Sequence, residues 1–134
     1  MTAGTAAQMK VFDSSALLAL IFDEAGAAKV EALLDGDDNV VGAANLSEVL
    51  AKLVDQGLSD AEAEAVLDGL AIRVEPLSQA LALAAGRLRR PTRSLGLSLG
   101  DRCCLALAQA HDAVVVTADR PWKQLKGFRF EFVR

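Results

Sequence analysis

The sequence has few of the residues that form disulfides or histidine-based sites. Its 134 residues include two cysteines, one histidine, one tryptophan and no tyrosine. Cys103 and Cys104 are adjacent on a predicted helix, where neighbouring side chains point about 100° apart, so they lack the spacing of a metal site. We expect both to be small buried apolar residues in a reducing compartment. His111 has no triad partners near it in the sequence and is predicted to lie at a helix end.

Long apolar runs are also missing. No run approaches the roughly 20 residues of a membrane span, and the N-terminus lacks the basic-then-apolar order of a secretory signal. We therefore expect a cytoplasmic protein without membrane association. The length indicates one domain. Residues 1–8 show no periodicity and are predicted to be a disordered lead, an upstream start or a cloning remnant, so that the domain spans residues 9–134.

Short apolar segments alternate with segments of helical periodicity. Strands are predicted at residues 10–12, 39–41, 72–75, 113–117 and 128–133. Helices are predicted at 14–22, 26–34, 45–55, from 59, at 78–88 and from 101, with a loop at 89–100. In the last strand Phe128, Phe130 and Phe132 alternate with residues 129, 131 and 133, which predicts one buried face. The pattern predicts an α/β fold, with a short parallel sheet of four or five strands flanked by helices.

Four acids follow predicted strands or open predicted helices: Asp13, Glu48, Asp101 and Asp119. Each has a purely structural explanation as a helix cap. Asn45 with Glu48, and Ser98 with Asp101, have the spacing of a capping box. Asp119 precedes a proline in the first turn of a possible helix.

The four acids together favour a different explanation. In a parallel sheet, strand C-termini and helix N-termini lie along the same edge, so all four side chains are expected to converge. Two carboxylates about 5 Å apart repel by about 3 kcal/mol at an effective dielectric constant of 20. Bound Mg²⁺ or Mn²⁺ offsets such repulsion, because these hard cations prefer carboxylate and water oxygens. Carboxylates that hold a divalent metal beside basic residues are typical of phosphodiester cleavage.

Positive charge is concentrated in the C-terminal part of the chain. Residues 1–68 contain 3 Lys or Arg against 13 Asp or Glu, whereas residues 87–134 contain 10 against 4. This asymmetry indicates a polyanionic partner such as RNA, or acidic groups of a protein partner; a solvated charged face explains the charge equally well. The candidate contacts are Arg87, Arg89, Arg90, Arg93, Arg102 and Arg120.

Four motifs resemble those of PIN-domain ribonucleases, and the similarity is greatest to the VapC toxins of toxin-antitoxin pairs. They are Val-Phe-Asp-Ser-Ser-Ala-Leu at 11–17, Ser-Glu-Val at 47–49, Leu-Gly-Asp-Arg at 99–102 with Leu-Ala at 105–106, and Val-Thr-Ala-Asp-Arg at 116–120. The resemblance implies an Mg²⁺- or Mn²⁺-dependent endoribonuclease, a homodimer and a small VapB-like antitoxin that blocks the site.

The resemblance also implies roles for individual residues. It identifies the four acids as metal ligands, and Ser14 and Thr117 as residues that support the site by hydrogen bonding. Some relatives carry a further acid two residues after the last one, where this chain has Pro121. Our hypothesis is that metal held chiefly by Asp13 and Asp101 activates a water molecule. Attack of this water on phosphorus would leave 5′-phosphate and 3′-hydroxyl ends.

Two other functions remain open at this point. The chain could be a non-catalytic PIN-fold interaction module, although the presence of all four acids argues against a degenerate site. It could also be a phosphotransfer or receiver domain with Asp13 as the acceptor, although the second acid of the usual Asp-x-Asp pattern is replaced by Ser15. Trp122 could stack on a base, but packing beneath the sheet is the favoured role.

Overall fold

The computed structural model describes residues 8–134, which form one five-stranded sheet. The strands are β1 (Lys10–Phe12), β2 (Asn39–Gly42), β3 (Arg73–Glu75), β4 (Val114–Thr117) and β5 (Arg129–Phe132). All neighbouring strands pair in parallel, in the order β3-β2-β1-β4-β5. The predicted α/β architecture is therefore confirmed, and β1 lies at the centre of the sheet.

Seven α-helices connect the strands in the described chain. They are α1 (Ser14–Ile21), α2 (Ala27–Leu34), α3 (Ala43–Asp55), α4 (Asp60–Asp68), α5 (Gln79–Arg87), α6 (Arg89–Thr92) and α7 (Leu99–Ala110). Short 3₁₀ turns follow at residues 93–95 and 120–124. None of the helices in residues 8–134 is long and apolar enough to cross a bilayer.

Apolar side chains alternate between the two faces of the central strands, because successive residues of a strand point to opposite sides. Phe12, Val41 and Val116 join one buried cluster with residues of α1 to α4. Val11 and Val115 join a second cluster, which contains residues of α7 and the side chain of Trp122. The sheet is thus a middle layer that buries apolar residues on both faces.

Three predicted boundaries were wrong. Residues 89–95, predicted as loop, are helical: Pro91 lies within the first turn of α6, where proline is tolerated, and the hydroxyl of the buried Thr92 donates to the carbonyl of Leu88 at 2.7 Å. Helix α7 begins at Leu99, two residues before Asp101, because the Ser98 hydroxyl accepts the amide hydrogen of Asp101 at 3.1 Å.

Helix α3 begins at Ala43, so Asn45 lies inside the helix and the predicted capping box of Asn45 and Glu48 does not form. The last strand also differs from its prediction. Val133, which the alternation places on the exposed face, is buried. Its backbone N–H donates to the Thr117 carbonyl at 3.0 Å, and its carbonyl and side chain lie against Gly26 in the α1–α2 connection. Phe130 and Phe132 stack at 5.3 Å but are only partly buried.

Residues predicted to be structural take the expected places. Cys103 and Cys104 are buried and free, and His111 directly follows α7. Of the lead, residues 1–7 lie outside the described chain, whereas the Gln8 amide donates to the carbonyl of Asp112 at 3.2 Å.

Replacement of Trp122 tests its assignment as a packing residue. Its side chain is 2 % exposed and its ring lies 6.3 Å from that of Phe130. We expect Trp122→Ala to lower the free energy of unfolding by about 3–5 kcal/mol, because it leaves a large cavity. Chemical denaturation measures this loss; weaker RNA binding with unchanged stability would instead favour the base-stacking role.

Candidate metal centre

Three aspartates converge at the carboxyl edge of the sheet. Asp13 directly follows β1, Asp119 lies two residues beyond the neighbouring β4, and Asp101 is the third residue of α7. One carboxylate oxygen from each lies within 4.8 Å of the other two. The structure therefore brings together three of the four acids that the sequence places at this edge.

Asp13 is the buried member of this cluster, with 1 % of its surface exposed. Its Oδ2 accepts hydrogen bonds from the hydroxyls of Ser15 at 2.7 Å and Thr117 at 3.0 Å. Its Oδ1 is buried and has no hydrogen-bond partner among residues 8–134. A buried carboxylate oxygen without a partner costs free energy, so this atom fits a cation that would bind it.

The electrostatics of the cluster follow from burial and from its like charges. Burial raises the pKa of Asp13 from 3.8 to about 7; the Ser15 and Thr117 hydrogen bonds oppose this shift, and the charges of Asp101 and Asp119 add to it. Burial likewise raises the pKa of Asp119, with a further increase from Asp101 and a decrease from Arg134. A divalent cation would reverse these effects, because it stabilises the ionised carboxylates.

Helix capping and participation in the cluster coexist at Asp101. Its Oδ2 accepts the backbone N–H of Ser98 at 2.9 Å, which completes a capping box at the start of α7. Asp13 and Asp119 also occupy N-cap positions, but neither side chain makes a capping hydrogen bond. Helix capping therefore explains one hydrogen bond of the Asp101 carboxylate, but it explains neither the Asp13 carboxylate nor the Asp119 carboxylate.

Glu48 lies in a separate hydrogen-bond network next to this cluster. Among residues 8–134, the group of acids close enough to share one ion contains only the three aspartates. The Glu48 Oε1 accepts hydrogen bonds from the Ser14 hydroxyl at 2.7 Å and from the Asn45 side chain at 3.1 Å. The carboxylate also lies against Gly100, the residue before Asp101. Ser14 thus contacts Glu48, whereas Thr117 contacts Asp13.

Sequence reasoning missed Ser15, Asn45 and Gly100 as site residues. Ser15 bonds Asp13 and also accepts the backbone N–H of Ala118 at 3.0 Å, so it joins α1 to the end of β4. The two consecutive serines after a strand-ending aspartate were a usable signal for it. The capping-box spacing predicted Asn45 to be a helix cap, and the glycine-containing segment predicted Gly100 to belong to a loop.

The predicted arginine contacts occupy three different environments. Arg87, Arg89, Arg90 and Arg93 line a surface cleft of about 490 Å³ at the α5–α6 junction, which we call the arginine cleft. The Arg102 guanidinium donates to the carbonyl of Ala85 at 3.1 Å and so joins α7 to α5. The Arg120 guanidinium lies 5.8 Å from the centre of the Phe132 ring.

The sequence model of the PIN domain matches residues 10–127. The chain belongs to the PIN domain family. No curated protein sequence matches it. Solved structures share the fold. Because their sequences are only 17–19 % identical to this chain, the likeness shows the fold alone.

Three of these structures resemble the PIN domain over almost its whole length. A toxin-antitoxin complex from Klebsiella pneumoniae has a TM-score of 0.74 at 19 % identity, covering 93 % of this chain and 98 % of that one. DNA-bound VapBC from Salmonella typhimurium has a TM-score of 0.73 at 17 % identity, with 95 % and 99 % covered. VapC20 from Mycobacterium tuberculosis, a Sarcin-Ricin loop cleaving toxin, has a TM-score of 0.70 at 17 % identity, with 89 % and 95 % covered.

The raised pKa of Asp13 predicts how stability depends on pH in metal-free buffer. Between pH 3.8 and about 7 the folded PIN domain keeps a proton on Asp13 that the unfolded chain has lost. The free energy of unfolding therefore decreases as pH rises through this window, by on the order of 4 kcal/mol for Asp13 alone. Asp13→Asn should remove this part of the decrease and leave the smaller part due to Asp119.

Chemical denaturation at several pH values, with a chelator present, measures the effect. The matched control is Asp112→Asn, because Asp112 is an exposed acid at the opposite, amino edge of β4. Equal pH slopes for Asp13→Asn and the unchanged chain would contradict the assignment.

Proposed function

We propose that this PIN domain is a divalent-metal-dependent endoribonuclease and the toxin of a VapBC-type toxin-antitoxin pair. The observation that carries the proposal is the convergence of Asp13, Asp101 and Asp119 within 4.8 Å at the carboxyl edge of the sheet. Ligands bind at this edge in parallel α/β folds. Among residues 8–134 these three carboxylates form no salt bridge, and they are the kind of donor set that Mg²⁺ or Mn²⁺ prefers.

The residues divide the work of holding the metal. Asp13 and Asp101 would be the chief ligands, with Asp119 as the third carboxylate. Ser15 and Thr117 fix the orientation of the Asp13 carboxylate through its Oδ2, so its Oδ1 has no other partner in the described chain. When bound, Mg²⁺ or Mn²⁺ would activate water and stabilise negative charge on the phosphate.

Glu48 is suited to a different task. Both hydrogen bonds that it receives from the described residues go to Oε1, which leaves Oε2 able to accept a hydrogen bond from a water or to recruit a second ion with the substrate. Attack by water on phosphorus leaves the RNA 2′-hydroxyl unused, so the products would carry 5′-phosphate and 3′-hydroxyl ends.

The arginine cleft would contact either the RNA backbone or an acidic segment of a VapB-like antitoxin. Four exposed guanidinium groups lie together on one surface and supply the positive charge that binding of the RNA backbone requires. A VapB-like antitoxin as the other partner is supported by likeness to toxin-antitoxin complexes. Homodimer formation and a cytoplasmic location complete the proposal.

Cleavage of RNA by the purified chain tests the proposed activity directly. We expect cleavage with Mg²⁺ or Mn²⁺, none with a chelator, and a decrease of at least about 100-fold for Asp13→Asn, because that change removes a charged ligand. Asp112→Asn is the control and should retain full activity. Calorimetry should detect Mn²⁺ uptake by the unchanged chain and by Asp112→Asn, but not by Asp13→Asn.

Each alternative gives a distinct result. A non-catalytic interaction module would bind partners without cleaving RNA at any metal concentration. Products with 2′,3′-cyclic phosphate ends would show that the 2′-hydroxyl is the nucleophile and would overturn the proposed chemistry. Acid-labile phosphorylation of Asp13 would instead indicate a phosphotransfer domain.

The salt dependence of RNA binding tests the arginine cleft. The measurement uses the Asp13→Asn variant, which is expected not to cleave RNA. In this background, replacing Arg89 and Arg90 by alanine should weaken RNA binding. It should also lower the magnitude of the slope of log affinity against log salt by about 0.7 for each lost contact with single-stranded RNA. Arg129→Ala is the control, because Arg129 begins the outer strand β5 and does not line the arginine cleft. An unchanged slope for the double variant would favour the antitoxin as the partner of this cleft.

A further inference from the structure

We infer that Asn45 and Gly100 are positioning residues that hold the Glu48 carboxylate next to the three-aspartate cluster but apart from it. The inference rests on the proposed nuclease function, since it assigns a task to residues of that site. Its physical content is a pair of contacts between α3 and α7, one polar and one steric.

The polar contact is made by the Asn45 side chain, which is 0 % exposed. Its Nδ2 lies 3.1 Å from Glu48 Oε1, 3.0 Å from the Ser14 hydroxyl oxygen and 3.2 Å from the Gly100 carbonyl oxygen. The Ser14 hydroxyl in turn donates to the same Oε1 at 2.7 Å. The Asn45 NH2 group has two hydrogens and therefore shares them among three acceptors: Glu48 Oε1, the Ser14 hydroxyl oxygen and the Gly100 carbonyl oxygen of α7.

Helix geometry explains why an asparagine at this position can act on Glu48. Residues three apart lie on the same face of a helix, so Asn45 and Glu48 are neighbours along α3. Asn45 is also the third residue of α3, where it has no capping bond to make. The Asn45 Nδ2 finds its polar partners among the residues that surround the Glu48 carboxylate, whereas its buried Oδ1 has no hydrogen-bond partner among residues 8–134.

The steric contact is at Gly100. A Cβ at this residue would lie 2.2 Å from Glu48 Oε1 and 2.4 Å from Oε2, closer than any real Cβ contact. The Glu48 carboxylate therefore occupies the space that a side chain at residue 100 would fill. Alanine would otherwise be favoured here, because Gly100 is the second residue of an ordinary α-helix.

The two contacts fix Glu48 relative to the aspartates. Gly100 directly precedes Asp101, so the first turn of α7 supports both the Glu48 carboxylate and a member of the cluster. Asn45 bonds the Gly100 carbonyl and so prevents α3 and α7 from separating at this point. Glu48 is thereby held for its proposed task next to the three aspartates whose oxygens lie within 4.8 Å of one another, but outside that group.

Gly100→Ala is the decisive variant, because the three atoms nearest to its added methyl group all belong to the end of the Glu48 side chain. We expect it to reduce kcat for RNA cleavage by about 100-fold, the usual cost of a misplaced group, with KM and Mn²⁺ affinity unchanged. Glu48→Ala should lose the same factor, and the double variant should lose nothing more.

Thermal unfolding without metal gives a second readout that does not depend on activity. In the Glu48→Ala background the space beside Gly100 is empty, so Gly100→Ala should raise Tm by about 4 °C through its higher helix propensity. When Glu48 is present, Gly100→Ala displaces the Glu48 carboxylate from Asn45 and Ser14, so the increase in Tm should disappear. Asn45→Ala should lower both kcat and Tm while Mn²⁺ affinity is retained.

Gly69→Ala is the matched control, since Gly69 follows α4 with helical dihedral angles and its added Cβ would make only ordinary contacts, the nearest at 3.4 Å. It should leave cleavage unchanged. Full activity of Gly100→Ala, or losses from Gly100→Ala and Glu48→Ala that simply multiply, would overturn the inference while the nuclease proposal stands. If the unchanged chain neither binds Mn²⁺ nor cleaves RNA, the nuclease proposal fails, and the unfolding temperatures still decide whether Gly100 holds Glu48.

Discussion

The buried carboxylate of Asp13 is the constraint on which the rest of the site depends. An ionised group removed from water is costly unless hydrogen bonds or an opposite charge replace its hydration. Ser15 and Thr117 supply hydrogen bonds to one oxygen, and the other has no partner in residues 8–134. The raised pKa of Asp13 expresses the part of this cost that the protein leaves uncompensated. A site with this imbalance is suited to a cation.

The parallel sheet converts distant sequence positions into one cluster. β1 and β4 are neighbours at the centre of the sheet, so Asp13 and Asp119, which follow them, meet at the same edge. Helix α7 packs against both strands and brings Asp101 to that edge with its first turn. That turn is stabilised by the Asp101 carboxylate itself, through the capping box with Ser98. The Asp101 side chain therefore stabilises the start of the helix and is also a member of the cluster.

The fourth acid, Glu48, is held by a hydrogen-bond network of its own. Glu48 is held by Ser14 and Asn45 against Gly100, and it does not join the three aspartates. A fourth carboxylate at comparable distance would add several unfavourable interactions of a few kcal/mol each at moderate dielectric. Two networks, one around Asp13 and one around Glu48, meet at Gly100 and Asp101. Small changes in the first turn of α7 therefore affect both.

The sequence by itself determined the α/β fold, the five strands and the edge at which the acids would lie, because apolar periodicity and the alternation of strands and helices are local signals. It did not determine the start of α3, the helical segment at 89–95 or the burial of Val133, which depend on partners distant in the chain. Only the tertiary structure decided that Asp13, Asp101 and Asp119 form one cluster while Glu48 lies apart. The reason is that Asn45 and Gly100 act through contacts across two helices, and sequence spacing carries no information about such contacts.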